Sequence, residues 1–119
     1  MKEKENLIVD KSFKFSLKII ELYKFLNSKK EFVISKQLLR CGTSIGANIN
    51  ESIAAQTKKD FITKMSIASK EARETKYWLQ LLQESQVVEK DFSEYLIDVE
   101  EIIRILTSIV KTAQINLNK

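Results

Sequence analysis

The sequence predicts an all-α protein, folded as one antiparallel up-down-up-down four-helix bundle. Three observations carry that reading. There is no proline, and both glycines, Gly42 and Gly46, fall inside a helical pattern, so the turn chemistry of β-hairpins is missing. Apolar residues recur at alternating spacings of four and three over two long stretches, the seam of left-handed helix packing. The breaks between periodic stretches are short, which makes successive helices antiparallel neighbours. A chain of 119 residues is one domain's worth and can bury a single core.

Residues 1–11 are rich in charge and read as a flexible N-terminal arm, with the bundle over 12–116. The first helix is expected over about 12–26, with Asp10 or Ser12 as N-cap. At 100° per residue Phe15, Ile19, Leu22 and Leu26 share one face, and Phe13, Leu17, Ile20 and Tyr23 widen it. Lys11, Lys14, Lys18 and Glu21 fill the narrow polar remainder, so this helix should be buried on two sides and basic on the third. Phe32 and Ile34 are apolar for a connection and should tuck back. Ser35 is a suitable N-cap for a second helix over about 36–54, whose apolar face is Leu38, Gly42, Ile45, Ile49 and Ile53. Thr57 with Asp60 three residues on is a variant capping box. It opens a third helix over 58–85, with the seam Phe61, Met65, Ala68, Ala72, Thr75, Leu79 and Leu82. Asp91 and Glu94 open the fourth, over 91–115, with Phe92, Leu96, Val99, Ile103, Leu106, Val110 and Ala113 as its seam.

Cys41 to Asn50 passes without a charged residue, between Arg40 and Glu51. A helix with one face in water shows charge every turn or so, so this stretch should have packed neighbours on more than one side. The first, second and fourth helices carry more apolar surface than one core needs, which predicts a homo-oligomer of closed symmetry.

The net charge of +4 is uneven: residues 1–59 hold 12 basic and 6 acidic residues, residues 60–84 hold 4 of each, and residues 85–119 hold 4 basic and 6 acidic. A basic first half attracts polyanions. The chain has no histidine, which removes Ser-His, Cys-His and His-metal chemistry, and glycine-rich phosphate loops are missing. No enzymatic activity, cofactor or metal is therefore expected. A lone cysteine excludes an internal disulfide framework and fits a reducing cytoplasm. The charged N-terminus has no apolar signal core. No apolar run approaches the ~20 residues that span a bilayer, so no membrane association is expected.

Arg40, Ser44, Asn48 and Glu51 form a polar strip on the second helix. It is either a binding strip or a register-fixing junction in which Asn48 and Glu51 satisfy neighbouring groups, with Arg73 as a candidate partner. Glu71 and Glu74 form a mixed stripe with Ile67 and Trp78; ion pairs to Arg40, Arg73 or lysines are commoner there than a metal. Cys41 reads as a small core thiol. Gly42 and Gly46 each cost about 1 kcal/mol of helix propensity against alanine, which close approach of another helix would offset. Two basic faces are candidates for nucleic-acid contact: Lys11, Lys14 and Lys18, extended by Lys2 and Lys4, and Lys59, Lys70 and Arg73, with Tyr77 on the same side. Lysines meet phosphates as point charges without reading sequence, and an oligomer repeats each patch.

The run Gln37-Leu-Leu-Arg-Cys-Gly-Thr-Ser-Ile-Gly-Ala-Asn-Ile-Asn-Glu51, then Phe61, then Ala68-Ser-Lys-Glu-Ala-Arg-Glu-Thr-Lys-Tyr-Trp-Leu79, resembles the bacterial four-helix-bundle family of 23S rRNA intervening-sequence proteins. The accessory variability protein of diversity-generating retroelements is similar. The resemblance covers Phe13 to Leu106. It implies a homopentameric ring and, from the retroelement members, possible partners in RNA and a reverse transcriptase or a ribosome-related particle. Carried over by position, the motif residues Ser44, Ile45, Ala47, Asn48, Ile49, Glu51, Glu71 and Glu74 look structural rather than catalytic. One departure is Ser52, where the family usually has Gly after the Glu. The leading expectation is a non-enzymatic homo-oligomeric bundle that binds RNA or a ribonucleoprotein. The alternative is a protein-protein scaffold without nucleic-acid binding.

Overall fold

The periodic stretches become four long helices in the computed structural model, which describes residues 2–119. They are α1 (Lys2–Ser28), α2 (Ile34–Ile53), α3 (Lys58–Ser85) and α4 (Ser93–Leu117). Each packs on the next and α1 closes on α4, while the diagonal pairs stay apart. The result is a square bundle of 51 × 21 × 20 Å. Its core is one continuous stack running from Ile8, Phe15 and Ile19 through Leu38, Ile45 and Ile49 to Met65, Leu79, Phe92, Val99 and Leu106.

The expected arm is helix instead. Residues 2–11 belong to α1, and only Met1 lies outside the described residues. Ile8 is completely buried and extends the stripe of Phe15, Ile19 and Leu22 by two turns. Glu3 and Glu5 lie in the first turn, where carboxylates complement the exposed N–H groups of a helix start. The charges that suggested an arm thus stabilise a helix end. The expected cap at Asp10 or Ser12 disappears with it, and Ser12 is buried mid-helix, its Oγ donating to Val9 O at 3.2 Å.

The connections differ from expectation in detail. Ser35 does not cap α2. Glu31 does so from the loop, accepting from the N–H groups of Val33, Ile34 and Ser35 at 3.2, 3.1 and 2.7 Å. Ser35 is buried, with its Oγ on Asn27 Oδ1. Ile34 packs against the core, but Phe32 remains 53% exposed. Thr57 caps α3 as expected, its hydroxyl accepting from Asp60 N at 3.1 Å. Asp91 sits just before α4 and accepts from both Ser93 N and Ser93 Oγ. α1 and α3 end near Lys30 and Gln86, which adopt the left-handed conformation, with φ of 64° and 50°.

Candidate nucleic-acid interface

Cys41–Asn50 lies mid-helix in α2, against both α1 and α3. Gly42 lets α1 approach closely: a Cβ there would stand 2.9 Å from Ile19 Cγ2. Gly46 faces Ser16 and Ser12, where a Cβ would make ordinary contact at 3.4–3.5 Å. Cys41 is fully buried, its Sγ donating to Leu38 O at 3.8 Å. Burial pushes its thiol up to about 11, so it stays protonated at neutral pH and is a poor nucleophile.

The polar strip satisfies itself along its own helix. Ser44 Oγ donates to Arg40 O at 2.7 Å, and Asn48 Nδ2 to Ser44 O at 2.8 Å. Glu51 leaves the strip to pair with Lys64 of α3 at 2.9 Å. Arg73 is partner to neither Asn48 nor Glu51 among the described residues, because it projects from the far side of α3. Of the other motif positions, Ile45 and Ile49 are core and Ala47 is exposed. The strip therefore presents no converging donors to a ligand.

Arg40 does reach across. Its guanidinium pairs with Glu71 at 3.4 Å and with Glu74, and Glu74 Oε2 also accepts from Trp78 Nε1 at 3.1 Å. Glu71 and Glu74 are the only acids between Asp60 and Glu84. Both are paired with Arg40 of α2, and Glu100 of α4 with Lys76 at 3.6 Å, so these acids are not paired with Lys70 or Arg73.

The two basic rows fare differently. The lysines of α1 are turned onto α4. Lys11 pairs with Glu101 at 2.8 Å, and Lys18 meets Glu94 at 2.6 Å and Asp98 at 2.5 Å. Lys14 bonds Asp10 within its own helix at 3.0 Å, and Lys4 reaches Ser108 Oγ at 2.6 Å. Partial burial works against the Lys18 ammonium, but its hydrogen bonds to Asp98 and Glu94 outweigh that and raise its pKa. The same bond holds Glu94 below the usual carboxylate range. These groups form a neutralised seam.

On α3, Lys59, Lys70 and Arg73 are exposed and have no ion pair among the described residues. Tyr77, one turn beyond Arg73, is 54% exposed. Two cations that the sequence pattern did not single out join them from α4. Arg104 and Lys111, seven residues apart on its outer side, are exposed and also lack an ion pair among the described residues. A shallow groove between α3 and α4 brings Arg73 and Lys111 to its lining, with Ser66, Ser69, Thr107 and Gln114 between them. The hydroxyls and the amide are suited to phosphate oxygens and sugar hydroxyls. The signal that would have found Arg104 and Lys111 is their i, i+7 spacing opposite the α4 core face.

On the other side of the bundle α1 shows an apolar outer stripe. Phe13, Leu17 and Ile20 are 60, 50 and 39% exposed, and Ile53 of α2 borders the same shallow groove as Phe13. No helix among the described residues is long and apolar enough to cross a membrane.

Residues 4–108 match the family model described as 23S rRNA-intervening sequence protein. A crystal structure from Bacteroides thetaiotaomicron, described as a protein with unknown function from the S23 ribosomal protein family, is similar at 51% identity and a TM-score of 0.86. The match covers 91% of this chain and 98% of that one. No curated protein matches the chain.

Proposed function

This chain belongs to the 23S rRNA-intervening sequence protein family, and from that premise we propose that it is a non-enzymatic, homo-oligomeric helical bundle that binds RNA or a ribonucleoprotein as an accessory protein. The observation that carries the reading is the bare cationic face of α3 and α4. Lys59, Lys70 and Arg73 of α3 and Arg104 and Lys111 of α4 are exposed without an ion pair among the described residues, Arg73 and Lys111 line one groove, and the α4 acid Glu100 is taken by Lys76 at 3.6 Å. Such a face favours a polyanion through counterion release. The apolar stripe Phe13, Leu17 and Ile20 supplies the surface for self-association, and the family resemblance makes five copies the expected number. A ring repeats the cationic face around its rim, so that weak contacts add. A reverse transcriptase with its RNA, or a ribosome-related particle, is the class of partner that the resemblance supports.

A mobility-shift titration with structured RNA tests the reading. Binding should be present at about 50 mM salt and fall by orders of magnitude toward 200 mM, as several phosphate contacts require. No retardation at low salt would overturn it. The scaffold reading rests on the same apolar stripe of α1. A pull-down that recovers one stoichiometric protein free of RNA would favour it instead.

A further inference from the structure

We propose that the Tyr77 end of the α3 face takes single-stranded RNA, with Tyr77 stacking an unpaired base while Lys70 and Arg73 hold the flanking phosphates; this rests on the RNA-binding reading above and specifies the form of nucleic acid. Lys70, Arg73 and Tyr77 follow one another at spacings of three and four, one side chain per turn on a single helix face. More than half of the Tyr77 surface is open, which is unusual for an aromatic ring on a bundle helix with a core to serve.

The ring is also braced. Trp78 meets it edge-on, with centroids 5.5 Å apart and planes at 69°. Trp78 is in turn fixed by its Nε1–H bond to Glu74, and Glu74 by Arg40. A T-shaped neighbour steadies Tyr77 without stacking on it. Leu81, exposed one turn further on, continues the apolar end of the row. Glu74, four residues after Lys70 and three before Tyr77, borders this face, but its carboxylate is taken up by Arg40 and by Trp78 Nε1.

Cations alone would serve a duplex equally well. An open aromatic ring beside them serves only a base that is not already paired and stacked, since the bases of an A-form helix are closed to side chains in the deep groove. Base–aromatic stacking is worth about 1–3 kcal/mol and is indifferent to sequence. Tyr77 should therefore contribute between about 5-fold and 150-fold in affinity for single strands and almost nothing for duplex.

Fluorescence anisotropy on the full chain tests this, using a labelled oligouridine of about 12 nucleotides, within the usual site size, and an RNA duplex of equal length. The wild type should prefer the single strand. Tyr77→Leu should weaken single-strand binding about 10-fold and leave duplex binding within about twofold, while Tyr77→Phe, which keeps the stacking face, restores it. Equal single-strand affinity for the wild type and Tyr77→Leu, with Lys70→Gln weakening both probes, would overturn the stacking inference and leave the RNA reading standing. No binding of either probe by the wild type at low salt would overturn both.

Discussion

The α1–α2 half and the α3–α4 half of this bundle begin from the same kind of sequence and end with opposite surfaces. Lys11, Lys14 and Lys18 on α1 and Lys59, Lys70 and Arg73 on α3 both read as solvated basic rows. In the fold, α4 lays Glu94, Asp98 and Glu101 against the first row and neutralises it. Arg40 occupies Glu71 and Glu74, and the second row is left without an ion pair among the described residues. What distinguishes the outer side of α1 is the apolar stripe of Phe13, Leu17 and Ile20, and what distinguishes that of α3 is its cations unpaired among the described residues. A row of lysines thus gains or loses its meaning from the element packed beside it.

The contrast can be broken most forcefully on the apolar side. Phe13→Asp with Leu17→Asp should convert the proposed assembly to monomer in sedimentation while leaving helicity intact, since both side chains are half exposed or more. An unchanged particle size would remove α1 from the self-association surface. Next in size is the pair of glycines that set α1 against α2. Gly42→Ala should destabilise by about 1 kcal/mol, because overpacking Ile19 costs about 1–3 kcal/mol and the propensity gain returns about 1. Gly46→Ala meets only ordinary contacts and should stabilise by up to about 1 kcal/mol. Thermal melts that rank the two variants the other way would contradict the close approach at Gly42.

The seam between α1 and α4 gives the smallest effect, through pH. Glu94 is held below its ordinary value by the Lys18 hydrogen bond. A lowered carboxylate stabilises the fold above its unfolded pKa, near 4.5, and that stability is lost as pH falls through the folded value. Lys18, raised above 10.5, stays charged through this range and deprotonates only in strong alkali, so in acid the carboxylate end of the bond is the one that titrates. Melting temperature should therefore fall below about pH 4.5 more steeply in the wild type than in Lys18→Met, which has no such bond to lose. Parallel pH profiles would show the seam to be inert.

Much of this architecture was legible in the sequence. The seam of α3 and the cap at Thr57 placed its ends at 58 and 85, as the structure has them. Gly42 and Gly46 signalled a close helix approach, and Gly42 provides it. The start of α1 was hidden because the charges at Lys2–Glu5 mask Ile8, a single apolar residue whose burial only the neighbouring helices make evident. The ends of α1 and α3 carried no turn signal, since lysine and glutamine, not glycine, take the left-handed positions. Phe32 misled because an apolar loop residue need not be covered.

The candidate surface was half legible for a related reason. Lys59, Lys70, Arg73 and Tyr77 share one helix and were grouped by spacing alone. Arg104 and Lys111 lie 27 and 34 positions beyond Tyr77 and join them only once α4 is known to pack on α3. The neutral fate of Lys18 depends on Glu94 and Asp98, 76 and 80 positions away, a distance over which sequence periodicity says nothing.

The contrast between the two lysine rows is tested most directly by one titration of structured RNA against two double variants, Lys11→Gln/Lys18→Gln and Lys70→Gln/Arg73→Gln. The α3 pair should weaken binding about 10-fold or more at low salt and reduce the salt slope by about 1.4, the share of two phosphate contacts on single-stranded segments. Its melting temperature should be unchanged. The α1 pair should bind as the wild type does and melt lower, having lost three ion pairs. If the α1 pair loses RNA affinity and the α3 pair retains it, the assignment of the two faces is wrong.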